Sequence, residues 1–266
     1  MERNEKLNSV EKALRILLAF RPDRPAWGVR ELGTHLGFSP PTVQRIVGTL
    51  KAHGFVDQDP ETRQYRLGNV YYRFLDVLQG AYPAARMALP YMKRLLAKTR
   101  ETVHLNVVQD ADRVCIDSLE APHNLKVGMP VGNRSPLYAG ASSKCLLAFS
   151  PADFVEEYLA KVELEPLTDR TLTDMEVLRA ELEAVRRRGY AASLGERSRG
   201  LGSLSAPVFN HRGLLMAALS LAIPEIRYRD DDHRRFCLEE LLKTAREISS
   251  VMGREAPESE NPQPST

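Results

Sequence analysis

The sequence predicts an α+β fold in which an N-terminal winged helix-turn-helix is joined by linker helices to an antiparallel α+β domain. Two observations carry this prediction. Apolar residues at helical spacing between 28 and 52 precede a hairpin pattern at 55–67, and from Glu101 onward the apolar spacing changes to period two. At 266 residues the chain also has the length of two ordinary domains.

A first amphipathic helix is predicted after Asn8. Asn8 and Glu11 have the spacing of a capping box and precede apolar residues at helical intervals. Residues 21–26, rich in arginine and proline, then break the chain.

The helix-turn-helix spans about residues 28–52. Ser39 is suited to the N-cap of its second helix and Pro40 to the first helical position, after a tight turn at Gly37. The apolar residues of this helix fall at i, i+3, i+4 and i+7 and form one buried stripe: Val43, Ile46, Val47 and Leu50. The opposite face is left free for a DNA groove.

The outward face carries side chains that can read bases. Arg45 can form a bidentate contact with guanine, Gln44 can pair with adenine, and Thr42 can reach a phosphate or a thymine methyl group. In the hairpin at about 55–67, which we interpret as a wing, arginines can contact phosphates or enter the minor groove. The expected DNA-contacting residues are Ser39, Pro41, Thr42, Gln44, Arg45, Thr49, Arg63, Tyr65 and Arg66.

Two helices, at about 69–79 and 84–99, are predicted to link the domains and to offer apolar surface for dimer contact. A Thr173/Glu176 capping box marks the start of a later helix. The remaining elements are predicted as strands at 103–107, 114–116, 204–209 and 214–223 and as helices at about 142–149, 153–161, 174–188 and 231–252.

Composition excludes several classes of protein. The net charge of +2 is too small for a polycation, and no apolar segment has the length of a membrane span or a secretory leader. Cys115, Cys145 and Cys237 match neither a disulfide framework nor a Cys-x-x-Cys metal site. We therefore expect a soluble cytoplasmic protein without a metal, a cofactor or a membrane partner.

Other motifs offer weaker alternatives. The glycine-rich segment 195–202 lacks the Gly-Lys-Ser/Thr ending of a P-loop, and the acids at 230–232 fit a helix start better than a metal site. His104, His123 and Cys115 have no spacing that indicates a catalytic or metal site, so we interpret them as structural or solvent-facing. No catalytic residue is predicted. A small-molecule hydrolase fused to a DNA-binding head, or a dimeric scaffold with a vestigial pocket, stays open.

Over about residues 7–250 the chain resembles the IclR-type bacterial transcriptional regulators. The resemblance rests on segments 7–14, 59–68, 101–105, 131–144 and, above all, 189–210. It implies a winged helix-turn-helix, a linker, and a GAF-like C-terminal domain that binds a small effector, assembled as dimers or tetramers on double-stranded promoter DNA. The implied division is a DNA-binding domain at 1–68, linker and dimer-contact helices at 69–99, an effector-binding domain at 100–253, and a disordered tail at 254–266.

The resemblance also implies an effector pocket. A predicted helix starts at Ala141, where free N–H groups and the helix dipole favour a carboxylate. Many family members carry an acid at the position of Ser193 and a cysteine at that of Ser203, so a site of hydroxyl groups favours an organic acid. The residues carried over are Ala141, Ser142, Ser193, Ser203, Ser220 and Ala222.

Overall fold

The structure is a computed structural model and describes residues 8–21, 23–81 and 83–252. Its contacts divide the chain into two compact units, an N-terminal one up to Tyr82 and a C-terminal one from Pro83. The predicted tail at 254–266 lies outside the described residues. Within the described ranges, no helix is both long and apolar enough to span a membrane.

The N-terminal unit is a winged helix-turn-helix with a three-stranded sheet in the order β1-β3-β2. Its elements are α1 (Ser9–Leu18), β1 (Ala26–Trp27), α2 (Val29–Leu36), α3 (Pro40–Ala52), β2 (Val56–Gln58), β3 (Tyr65–Leu67) and α4 (Val70–Ala81). The strand β1 follows the segment predicted only as a chain break, and it pairs with β3. The hairpin of β2 and β3 is the wing.

Local interactions explain where these helices begin and end. Asn8 Oδ1 accepts the Glu11 amide at 2.8 Å and caps α1. Gly37 ends α2 with φ of 70°, a left-handed conformation that glycine adopts at no steric cost. The apolar stripe of α3 packs with Ile16, Leu32 and Trp27 into one core, and the Trp27 indole N–H donates to the Ala19 carbonyl at 3.0 Å.

The C-terminal unit is an α+β domain, as predicted, built on a six-stranded antiparallel sheet in the order β6-β5-β4-β9-β8-β7. Its strands are β4 (Thr102–Gln109), β5 (Asp112–Leu119), β6 (Arg134–Pro136), β7 (Ala191–Leu194), β8 (Leu201–Phe209) and β9 (Leu215–Pro224). Its helices are α5 (Pro83–Thr99), α6 (Ala141–Phe149), α7 (Ala152–Lys161), α8 (Met175–Arg188), α9 (Glu225–Tyr228) and α10 (Asp231–Val251).

Helices cover both faces of this sheet, since residues 217–224 of β9 are buried without alternation. The helix α6 packs on β8, β9 and α8, whereas α10 packs on β8 and α5. The strands β6 and β7 at the two edges were not predicted, because three or four residues carry too little periodicity.

One predicted cap is wrong. The helix α8 is capped by Asp174, whose Oδ1 accepts the Glu176 and Val177 amides at 2.8 and 3.1 Å. The Thr173/Glu176 capping box therefore does not form. A carboxylate accepts two amides at once and also meets the positive end of the helix dipole, which a hydroxyl group does not match.

A buried ion pair fastens the end of α5 to α9 and α10. Glu101, with no exposed surface, accepts from Arg227 Nε at 2.6 Å and Nη2 at 2.7 Å, and from His233 Nε2 at 2.9 Å. The same His233 nitrogen lies 3.5 Å from Cys237 Sγ. These contacts fix the helices that cover one face of the sheet.

Candidate functional sites

The outward face of α3 presents the residues predicted to read bases. Pro41, Gln44, Arg45 and Thr49 are exposed and Thr42 is half-buried. On the opposite stripe the first three residues are buried and Leu50 is half-buried. Among the described residues, Arg45 makes no ion pair, so its guanidinium group is available to a base or a phosphate.

The start of α3 differs in one detail from the prediction. Ser39 occupies the N-cap position and Pro40 begins the helix, but the Ser39 hydroxyl makes no capping bond to an amide. Instead it lies 2.9 Å from Thr42 Oγ1. The two hydroxyl groups form a polar pair at the helix end that would meet the sugar-phosphate backbone.

The three predicted wing residues, Arg63, Tyr65 and Arg66, have different environments. Asp59 Oδ1 accepts the Glu61 and Thr62 amides, both at 2.9 Å, and these bonds lower the pKa of the Asp59 carboxyl below its usual range. Its Oδ2 accepts from Arg66 Nη2 at 3.3 Å, which holds Arg66 against the wing. Arg63 is exposed at the tip, in the left-handed region with φ of 60°.

Tyr65 is buried in the core of the N-terminal unit, with 2% of its surface exposed. Its hydroxyl accepts from Gln44 Nε2 at 3.4 Å. Tyr65 therefore holds Gln44 from the core side of the unit and is not itself on the outward face of α3. A groove brings Gln44 and Arg63 together with Arg30 of α2, an exposed residue that the sequence reasoning did not select.

In the C-terminal unit, five of the six carried-over effector residues line one cavity at the start of α6: Ala141, Ser142, Ser193, Ser203 and Ala222. Ser220 is not among the lining residues. It is fully buried, its Oγ lies 2.8 Å from Ser205 Oγ, and it accepts from Asn106 Nδ2 at 3.3 Å. The free volume of the cavity, about 10 Å³, holds about one water molecule.

The first amides of α6 are not free, contrary to the prediction. Glu196 Oε2 accepts the Gly140 amide at 3.0 Å, and Ser193 Oγ accepts the Ala141 amide at 3.0 Å. Lys144, 2% exposed, donates to Glu196 Oε1 at 2.6 Å. A carboxylate of the chain itself thus holds the anion position at this helix start, and the Ser142 amide is the next one along.

Seven further residues that the sequence reasoning did not assign to the cavity also line it, among them His104 on β4, Met129, and Arg197 after β7. His104 is buried, with 1% of its surface exposed. The signal that could have found it is the run of polar residues at alternate positions of β4, a strand buried on both faces.

Behind the cavity lies a buried arginine. Arg113 has no exposed surface and donates to Ser135 Oγ at 2.9 Å, Asn106 Oδ1 at 3.3 Å and Asn133 Oδ1 at 2.8 Å. Burial and the nearby charge of Arg197 lower its pKa to about 10. Burial, together with the Arg113 and Arg197 charges, lowers the pKa of His104 to about 3, so its ring is neutral at physiological pH.

The arrangement offers no activated nucleophile at its cysteines. Cys115, Cys145 and Cys237 are buried and free, and burial raises the pKa values of their thiols to about 11, 12 and 12. A single nitrogen of His233 contacts both Glu101 and Cys237, so the ring cannot relay a proton between thiol and carboxylate. Within the part of the chain that the structure describes, no cluster of His, Cys, Asp and Glu could hold a metal ion.

Comparison with known proteins covers both units. Residues 9–60 match the family model described as the IclR helix-turn-helix domain, and residues 81–250 match that of the bacterial transcriptional regulator IclR C-terminal domain. The HTH-type transcriptional regulator KdgR of Escherichia coli is 32% identical over 249 residues, which are 94% of this chain and 94% of KdgR.

Solved structures agree with this comparison. The Thermotoga maritima IclR structure has a TM-score of 0.80 at 28% identity and covers 92% of this chain and 99% of its own. An IclR homologue from Microbacterium hydrocarbonoxydans, complexed with 4-hydroxybenzoate, has a TM-score of 0.73 at 25% identity, with the same shares of the two chains.

Proposed function

Because the chain belongs to the IclR family of bacterial transcriptional regulators, with a DNA-binding helix-turn-helix and a C-terminal effector domain, we propose that a small organic acid, bound beside α6, controls its affinity for operator DNA. The observation that carries the proposal is the cavity at the start of α6, where five residues carried over from the family meet. As a protein of promoter DNA, it would act in the bacterial cytoplasm.

For DNA binding, we assign base reading to the outward face of α3 and phosphate contact to the wing. Arg45 and Gln44 read bases, with Thr42, Thr49, Ser39 and Pro41 against the backbone. Arg63 contacts phosphate at the wing tip, because Asp59 pairs with Arg66 and not with Arg63. Arg66 supports the wing through this pair, and Tyr65 supports Gln44 through its hydroxyl group. The division into 1–68, 69–99 and 100–253 stands as part of this proposal.

For effector binding, we assign the acid group to the start of α6. Ser142 and Ser203 line the cavity together with Ala141 and Ala222, and the Ser142 amide and the two serine hydroxyl groups would bind the acid. The 4-hydroxybenzoate complex of the Microbacterium homologue shows that a carboxylate binds one relative, which supports an acid here. Ser193 and Ser220 support the site through their bonds to the Ala141 amide and to Asn106.

We further propose that the protein binds its operator as a dimer or a tetramer. Tyr72, Phe74 and Val77 on α4 are apolar and exposed at 73%, 47% and 68%, which is surface that self-association would bury. Effector binding would then alter the spacing or freedom of paired DNA-binding units.

The test is fluorescence anisotropy of the full chain on the intergenic DNA beside its own gene, with excess unrelated competitor at two salt concentrations. Arg45→Ala should reduce the discrimination between operator and scrambled DNA, whereas the matched variant Arg63→Ala should weaken both about equally. Equal weakening of both sequences by Arg45→Ala would refute its base-reading role. If the unrelated competitor DNA abolishes binding both in the presence and in the absence of candidate acids, the protein does not recognise an operator in this DNA.

A further inference from the structure

We propose that the effector is a small acid with two oxyanionic groups, one at the start of α6 and the other bound by Arg197 and His104, with Arg113 behind them. This inference rests on the proposed function, since it names the chemical class of the effector for the same cavity. The family resemblance assigned none of these three residues to the cavity.

Two cations share neutral acceptors at this end of the cavity. Arg113 Nη2 and Arg197 Nη1 both donate to Asn133 Oδ1, at 2.8 and 3.1 Å. Both also contact Met129 Sδ, at 3.7 and 3.5 Å. Neither arginine pairs with a carboxylate in the described ranges. Two positive charges this close, one of them fully buried, lack the counter-ion that buried charges require.

The other charges beside the cavity already balance. Lys144 pairs with Glu196 at 2.6 Å and with Glu181 at 3.2 Å, and Arg188 pairs with Glu181 at 2.9 Å. Two cations thus meet two carboxylates in that group. The excess of two positive charges belongs to Arg113 and Arg197 alone, and a dianion neutralises it.

His104 adds a directed donor. Asn106 Oδ1 accepts from Arg113 and its Nδ2 donates to the Ala218 carbonyl at 3.3 Å, which fixes the orientation of the amide. The same Nδ2 lies 2.9 Å from His104 Nδ1, whereas Oδ1, which already accepts from Arg113, lies farther from Nδ1, at 3.2 Å. An amide nitrogen can only donate, so the shorter contact makes Nδ1 the acceptor and leaves the hydrogen on Nε2. In the structure, His104 Nε2 is buried without a partner. Buried polar atoms rarely stay unpaired, so this N–H indicates an acceptor from the ligand.

Admitting a ligand larger than water requires the segment that carries Glu196 and Arg197 to move, which would break the bonds that Thr168 and Thr171 donate to the Gly195 and Glu196 carbonyls, both at 2.6 Å. Gly195 and Gly200 flank it, both left-handed, with φ of 75° and 77°. Ser198 and Arg199 between them are exposed. Outward motion of this segment releases Glu196 from the Gly140 amide and leaves Arg197 free to follow the ligand.

The experiment is isothermal titration calorimetry on the full-length protein with matched acids. The pairs are lactate with malate, and glycerate with 3-phosphoglycerate, each differing by one oxyanionic group. We expect at least one of the two diacids to bind at least about tenfold more tightly than its partner, because a charge-assisted bond to arginine is gained. The two pairs also distinguish a carboxylate from a phosphate as the second group.

Arg197→Gln tests the assignment, and Arg199→Gln is its control in the same segment. Arg199 is 80% exposed, and within the described ranges its one ion pair is with Asp169 at 3.1 Å. Arg197→Gln should bring diacid affinity down to that of the monoacid, while Arg199→Gln keeps the preference. Equal affinity within both pairs in the wild type, or an unchanged preference in Arg197→Gln, overturns the inference and leaves an acid effector standing. Failure of all four acids to bind overturns the acid effector as well.

Discussion

The neutral, buried imidazole of His104 makes the folding stability of the protein depend on pH in a calculable way. Burial lowers the pKa of His104 from 6.5 to about 3. Between these values the unfolded chain takes up a proton at this residue and the folded chain does not. Protonation therefore favours the unfolded state, and the stability of the protein should fall as pH decreases from about 6.5 towards about 3.

The size of the effect follows from these two values. At pH 5 an unfolded histidine is almost fully protonated, whereas the folded His104 is almost fully neutral. One pH unit between the pKa and the pH corresponds to about 1.4 kcal/mol, so the free energy of unfolding should be about 2 kcal/mol lower at pH 5 than at pH 7.5 from this residue alone.

The assay is urea unfolding at pH 7.5 and pH 5.0 for the wild type, His104→Gln and His211→Gln. Glutamine cannot take up the proton, so His104→Gln should lose about 2 kcal/mol less than the wild type between the two pH values. His211 is exposed, and its variant should follow the wild type. All other titrating groups are common to the three proteins and cancel in the comparison.

Identical pH dependence in the wild type and His104→Gln would refute the reasoning. It would mean that His104 is protonated in the folded protein, or that water reaches its ring. If the ring is protonated, the assignment of Nδ1 as an acceptor of the Asn106 amide would lose its basis, because an imidazolium group donates from both ring nitrogens.

Three further outcomes are expected. Glu101→Gln should lower the free energy of unfolding by about 3 kcal/mol, measured in urea, because Arg227 keeps its charge and loses its carboxylate partner. Gly202→Ala should cost about 1–3 kcal/mol, because a Cβ there would lie 2.2 Å from the Tyr228 ring, whereas Gly128→Ala meets no atom within 4 Å and should stay within about 0.5 kcal/mol of the wild type. In anisotropy and calorimetry, effector and operator should change each other's affinity by the same factor.

Each of these has a contrary result. A Glu101→Gln protein as stable as the wild type would mean that water screens the Arg227 contact. Equal stability of the two alanine variants would show that Tyr228 moves aside without loss. Effector affinity that is the same with and without operator would contradict the coupling of the two sites.

The sequence was sufficient for features set by local spacing. The stripe of α3 follows from four apolar residues on one helical face, of which three are buried as predicted, while Leu50 is partly buried against the same core. The strands β4, β8 and β9 follow from long apolar or alternating runs, and each lies close to its predicted position. Helix starts were less certain, because Thr173 and Asp174 both suit an N-cap and only the geometry decides between them.

The cavity could be predicted only in part, because its chemistry depends on contacts between distant segments. Glu196 bonds to the Gly140 amide, 56 residues away in the sequence, and no local sequence pattern predicts that bond. Arg113 of β5 and Arg197 meet only because Asn133 lies between them. Likewise, from the sequence alone, Tyr65 of the wing strand could face either DNA or the core. Its pairing with Trp27 in the strand register places it in the core.

The bond between Glu196 and the start of α6 affects the effector concentration at which the protein would respond. An acid that takes this position must expel a carboxylate tethered to the same domain, so its binding is an exchange reaction. The tether gives the resident group a high effective concentration, against which a dissolved acid must compete. If the effector binds at α6 as proposed, the response threshold would depend on Glu196 as well as on the ligand, and a higher concentration of the acid would be needed to occupy the site.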